Sequence, residues 1–183
     1  MTTSTQSLTR DRWTTAIGIV GFAAALAAAS QVAMSIPGTP VPITLQPFVV
    51  VLTGMWLGPV AGAASMLLYL AVGATGLPVF APMGAPGIAR FFGPTGGYLI
   101  AYPASAYLAG LLSRRAKNLT GRWLAAVAGI ALLFVGGITQ LTFITGSLSK
   151  AVAMGITPFA LLDLVKAWIA AAITGTRTAN RST

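Results

Sequence analysis

Long apolar runs, interrupted by glycine, proline or clustered basic residues and almost free of charge, leave this chain few folds to choose from. Only 7% of its residues carry charge, against about 25% in soluble domains. Hydrophobic residues make up 56% of the chain, and the mean hydropathy is +0.84. A surface built from these residues suits lipid and not water. A helical span takes about 20 mainly apolar residues, with a range of roughly 17–25. Six segments answer to that description: Trp13 to about Ser35, Ile43 to Leu57, Val60 to Leu77, Gly97 to Leu112, Trp123 to Ile144 and Pro158 to Ile173. The second and third are short and are separated only by Gly58-Pro59. Pro158 suits a first helical turn, where its missing N–H is not needed. The expected fold is an all-α membrane protein of six transmembrane helices over residues 13–175, with a disordered tail at 1–12 and a second tail at 176–183. No secretory cleavage pattern precedes the first run: Met1 to Arg12 is polar, and the run is long enough to stay as an anchor.

Orientation follows from the basic residues, which collect on cytoplasmic flanks. With alternating spans, Arg10, Arg12, Arg114, Arg115, Lys117, Arg122, Arg177 and Arg181 fall on one side, and only Arg90 and Lys150 on the other. Both termini are therefore expected on the cytoplasmic side of the cell membrane, with the connection from Pro78 to Gly96 outside. The same distribution explains the net charge of +9 without nucleic acid, because the basic residues form no patch with interleaved aromatics. Cysteine and histidine are absent, which removes thiol chemistry, disulfides, thiolate or imidazole metal sites and imidazole bases. No nucleotide-binding GxxxxGK[ST] loop occurs. No catalytic residues, metal or cofactor are expected.

The Pro78–Gly96 connection is not a polar linker. It carries Pro78, Pro82, Pro86 and Pro94 with Gly84, Gly87, Gly93 and Gly96, set among Phe80, Met83, Phe91 and Phe92, and its one charge is Arg90. Such a composition predicts a structured external loop between the third and fourth spans, lying where protein or a cavity can satisfy irregular backbone. The chain has two acidic residues, and one of them, Asp163, lies inside the sixth run, three residues before Lys166. That spacing puts both side chains on one helix face. An ionisable residue within a span costs about 2.5–3.5 kcal/mol on insertion scales and faces a polar cavity or a partner. At about 1.5 Å per residue from Pro158, both fall in the outer half of the membrane, where the Arg90 loop and the proline-rich Ile36–Gln46 connection open. One carboxylate, two cations, the Gln46 amide and aromatic walls suit a small polar molecule with an apolar body, which points to a solute-binding membrane protein. Plainer readings stand beside this one: Asp163 and Lys166 as a structural pair, Arg90 as a headgroup anchor, Lys150 as a solvated charge, and the aromatics as packing.

The strings Ile36-Pro-Gly-Thr-Pro-Val-Pro-Ile-Thr-Leu-Gln-Pro47, Leu57-Gly-Pro59, Leu68-Tyr-Leu70, Gly76-Leu-Pro-Val-Phe80 and Gly93-Pro-Thr-Gly-Gly-Tyr98, followed by the Pro158, Asp163 and Lys166 segment, resemble the BioY family in the same order. BioY proteins are biotin-specific substrate-binding components, or S components, of energy-coupling factor (ECF) vitamin transporters. The resemblance covers about Ile36 to Lys166. It implies a six-helix fold that captures biotin from outside, usually in complex with a transmembrane coupling subunit and two cytoplasmic ATPases. The alternative is a solitary secondary biotin carrier that works without an ATPase module.

With biotin as the implied ligand, residue roles can be set against its chemistry. Asp163 would accept the ureido N–H bonds and Lys166 would donate to the ureido carbonyl. Arg90 would grip the valerate carboxylate, which a guanidinium binds bidentately; the reverse, with Lys166 on the valerate, stays open. Gln46 and Thr44 would add neutral hydrogen bonds, while Phe80, Phe92 and Tyr98 would line the rings and close the loop over them. In the first run, Ala24 with Ala28 and Ala25 with Ala29 place small residues at a spacing of four, which lets another helix approach closely. In S components such a stripe resembles the docking surface for the coupling subunit; intramolecular packing is the plainer reading.

Overall fold

Proline and glycine set most of the element boundaries. The computed structural model describes the backbone of residues 3–179 and the side chains of residues 12–175. Seven α-helices follow along that stretch: α1 (Thr3–Gln31), α2 (Gln46–Leu57), α3 (Pro59–Ala74), α4 (Gly96–Ser113), α5 (Leu119–Thr145), α6 (Leu148–Gly155) and α7 (Ala160–Ala179). A 3-10 helix, Gly87–Phe92, sits in the connection between α3 and α4. Between α1 and α2, β1 (Ala33–Met34) and β2 (Ile43–Thr44) form a two-residue antiparallel ribbon. The backbone of α1 and α7 runs on into the segments expected as tails; residues 1–2 and 180–183 lie outside the described residues.

The architecture is all-α, and several helices differ from their expected form. Ala33–Met34 and Ile43–Thr44 pair as the ribbon instead of extending the first two runs. Pro158 lies in a turn over residues 156–159, and α7 begins only at Ala160. A proline disfavours helical backbone in the residue before it, here Thr157. The chain therefore breaks between α6 and α7, which meet at 52°.

By length and composition, two helices among the described residues can each cross a membrane alone: α1 from Arg12 to Gln31, with mean hydropathy 1.6, and α5, with 2.1. The bent pair α6 and α7 makes a third if counted as one span. The lengths alone do not establish six spans: the 12 residues of α2 reach about 18 Å, short of a hydrocarbon core about 30 Å thick.

Helix α4 packs against α2, α3 and α5, and α7 packs against α5 and α2. The main core joins Leu26 of α1, Val50 of α2, Met66 and Tyr69 of α3, Tyr102 of α4 and Leu133 of α5. The crossing of α2 and α4 depends on bare backbone. A Cβ added at Gly54 would run into the carbonyl of Ala106, and one at Gly110 would meet the carbonyl of Gly54. Gly54→Val should destabilise the bundle by about 1–3 kcal/mol, the usual range for overpacking, seen as a lowered thermal midpoint in detergent. Gly21→Ala, where nothing lies within 4 Å, should not lower it; equal losses would refute the close-approach argument.

Candidate functional site

Asp163 falls in the first turn of α7, where the aligned peptide dipoles favour a negative charge. Its side chain is buried, and its Oδ1 accepts a hydrogen bond from Lys166 Nζ at 2.7 Å. The same ammonium donates to the backbone carbonyl of Thr44 at 2.8 Å. The ribbon holds that carbonyl in place, because Thr44 pairs with Ala33. The Asp163–Lys166 pair, on one face of α7, is thus tied to the entry of α2.

From Thr44 the polar contacts continue inward. Gln46 opens α2, and both it and Thr44 are buried. The Thr44 hydroxyl donates to Gln46 Oε1 at 3.2 Å, and Gln46 Nε2 donates to the Tyr69 hydroxyl at 3.0 Å.

Arg90, near the end of the 3-10 helix, is 5% exposed and lies under the preceding loop. Its Nη1 donates to the carbonyl of Met83 and its Nη2 to that of Ala81. Gly84, at φ +116, makes room for this: a Cβ there would meet Nη1. Arg90 Nε is buried without a hydrogen-bond partner, and the guanidinium forms no salt bridge among the described residues. Burial pulls its pKa below the ordinary arginine value, although an arginine stays charged throughout the accessible range.

These groups border one cavity of about 680 Å³, its open mouth included. Asp163, Lys166, Arg90, Gln46, Thr44, Tyr98 and Phe80 all line it. Phe80 is buried and packs edge-on against Tyr69 and Phe91, with ring centroids 5.4 and 5.8 Å apart. Tyr98 presents its ring, because its hydroxyl donates to the carbonyl of Gly155 at 2.8 Å.

Phe92 is not part of this wall. It is 78% exposed and borders a separate apolar groove between α4 and α5. The alanine stripe also divides: Ala24, Ala25 and Ala28 are exposed, whereas Ala29 is buried in the core. The cavity is also lined by Tyr102, Phe134 and Phe159, which were not anticipated. Two of these had a usable signal, since Tyr102 follows Tyr98 by four residues and Phe159 precedes Asp163 by four, the spacing that shares a helix face. Phe134 lies in a uniformly apolar run and had none.

A helical membrane protein that encloses an aromatic-walled, charged cavity beneath a structured loop is the class defined by this fold and site. The chain belongs to the BioY family, whose family model matches residues 1–182. It is 42% identical over 146 residues to the probable biotin transporter BioY of Pyrococcus horikoshii, covering 80% of this chain and 85% of that one. It is 38% identical over 140 residues to the biotin transporter BioY of Thermotoga maritima, covering 76% and 82%. Among solved structures, the S-component for biotin from an ECF-type ABC transporter superposes with a TM-score of 0.83 at 26% identity, covering 90% of each chain.

Proposed function

We propose that this chain captures biotin in the cavity between β2, α2, α4, α5 and α7 and serves its uptake across the cytoplasmic membrane as the substrate-binding component of an ECF-type transporter. The observation that carries this reading is the charge of the cavity. Arg90 and Lys166 are set against Asp163 alone among its lining residues, and the charge left over is the buried guanidinium. A buried charge without a counter-ion is costly, so the cavity favours a ligand with one negative charge. Biotin supplies that charge at its valerate end and a neutral ureido group, with two donors and one acceptor, at the other. Asp163 accepts from the ureido N–H groups and Lys166 donates to the ureido carbonyl, with Gln46 and Thr44 adding neutral bonds. Arg90 holds the carboxylate: two carbonyl acceptors leave three of its five N–H donors for it. Phe80 and Tyr98 flank the apolar rings.

In this reading six segments cross or enter the membrane, both termini face the cytoplasm, and the Arg90 loop closes the site from outside. The exposed Ala24, Ala25 and Ala28 meet a transmembrane coupling subunit. Two ABC-type ATPases supply the energy, since the sequence has no nucleotide-binding loop of its own.

The test is equilibrium binding of radiolabelled biotin to the purified chain in detergent. The wild type should bind tightly and stoichiometrically. Phe92→Ala should stay within about twofold of it, as an exposed side chain away from the site would. A folded wild type that binds no biotin, alone and with coupling subunit and ATPases, would overturn the proposal.

A further inference from the structure

We infer that Tyr69, which does not line the cavity, is a positioning residue that sets the hydrogen-bonding sense of Gln46 toward the ligand. The inference rests on the biotin reading above and adds the residue that orients one of its contacts. Tyr69 is 1% exposed, and its hydroxyl lies 3.1 Å from the carbonyl of Val79 and 3.0 Å from Gln46 Nε2. A carbonyl can only accept, so the phenol donates its one proton to Val79. It can then only accept from Gln46, and the atom facing it must be the amide nitrogen. The far side of the amide agrees. Thr44 Oγ1 accepts from the Gln46 backbone N–H at 3.2 Å and keeps its own proton for Gln46 Oε1, also at 3.2 Å. From Thr44 through Gln46 and Tyr69 to Val79 each of these bonds has one donor and one acceptor, and a flipped amide would set Oε1 against a hydroxyl whose proton is given to Val79.

Gln46 therefore offers the cavity a fixed pattern of one remaining N–H and one remaining lone pair. Thr44 also carries the register of the ionic pair, since its carbonyl receives Lys166 Nζ. The amide and the Asp163–Lys166 pair are thus tied to one residue and would read the same polar end of a ligand.

Tyr69→Phe separates this role from simple support of the loop, because the Ser30 hydroxyl, 2.6 Å from the Val79 carbonyl and 2.7 Å from that of Ala27, can still donate to Val79. The variant frees the Gln46 amide to turn, and biotin affinity should fall about 3- to 10-fold, the range of a neutral hydrogen bond. In a Gln46→Ala background the same substitution should change affinity by less than about twofold, the signature of one residue acting through another. Equal losses from Tyr69→Phe in both backgrounds, or no loss in either, would overturn the inference while leaving biotin capture intact. A wild type that binds no biotin would overturn both together.

Discussion

Replacing Asp163 with asparagine should weaken biotin binding by about 10- to 150-fold, the equivalent of one charge-assisted hydrogen bond worth about 1.5–3 kcal/mol. Among the described residues, the carboxylate is the one anionic acceptor lining the cavity. Asparagine keeps its size but offers a neutral oxygen and adds an N–H that faces the ligand's own donors. The substitution also leaves Lys166 with the Thr44 carbonyl and no charged partner. Breaking a buried pair on one side costs about 3–5 kcal/mol, whereas removing both charges is often nearly neutral. Asp163→Asn should therefore also lower the thermal midpoint in detergent, and adding Lys166→Met should recover much of that stability without recovering binding. That divergence separates a ligand contact from a structural pair. If the folded Asp163→Asn protein binds biotin like the wild type, Asp163 does not meet the ligand.

What the sequence made legible followed physical scarcity. A carboxylate and an ammonium three residues apart in an otherwise apolar run have few places to go, and they pair at the cavity edge. The glycine- and proline-rich connection with one arginine likewise folds over that arginine. Where residues were plentiful, the sequence was mute. Phe91 and Phe92 are equivalent on paper, but on a 3-10 helix with three residues per turn neighbours point about 120° apart. Phe91 packs on Phe80, and its neighbour faces outward. Ala29 differs from Ala25 only in the face it occupies, and in an alanine-rich run no periodicity marks that face. Helix α6 was hidden because Leu148–Gly155 reads as a connection; its start is set by Ser147, whose hydroxyl accepts from the Lys150 N–H at 3.4 Å. Tyr69 was visible only as part of a family string, since its role comes from Val79 and Gln46, ten and twenty-three positions away.

Arg90→Ala should weaken biotin binding by about 10- to 150-fold, on the same charge-assisted scale, and should abolish the preference for biotin over its neutral carboxamide. Two effects are combined in that substitution. The guanidinium faces the cavity as its surplus charge, and it also holds the Ala81 and Met83 carbonyls of the covering loop. The carboxamide tells them apart, because loosening the loop penalises both ligands equally, whereas loss of a carboxylate partner penalises biotin alone. Arg90→Lys sharpens the contrast: it keeps the charge but has no planar fork to span two carbonyls and a carboxylate at once. It should retain part of the preference for biotin with a faster dissociation rate. Gly84→Ala approaches from the opposite side, crowding Nη1 and straining a backbone at φ +116, and should disturb the loop while leaving the charge in place. If Arg90→Ala loses affinity for biotin and carboxamide alike, Arg90 fastens the loop and the carboxylate is held elsewhere, with Lys166 the remaining cation lining the cavity. If only biotin suffers, the guanidinium reads the carboxylate, and its bonds to the loop couple that recognition to closure of the site.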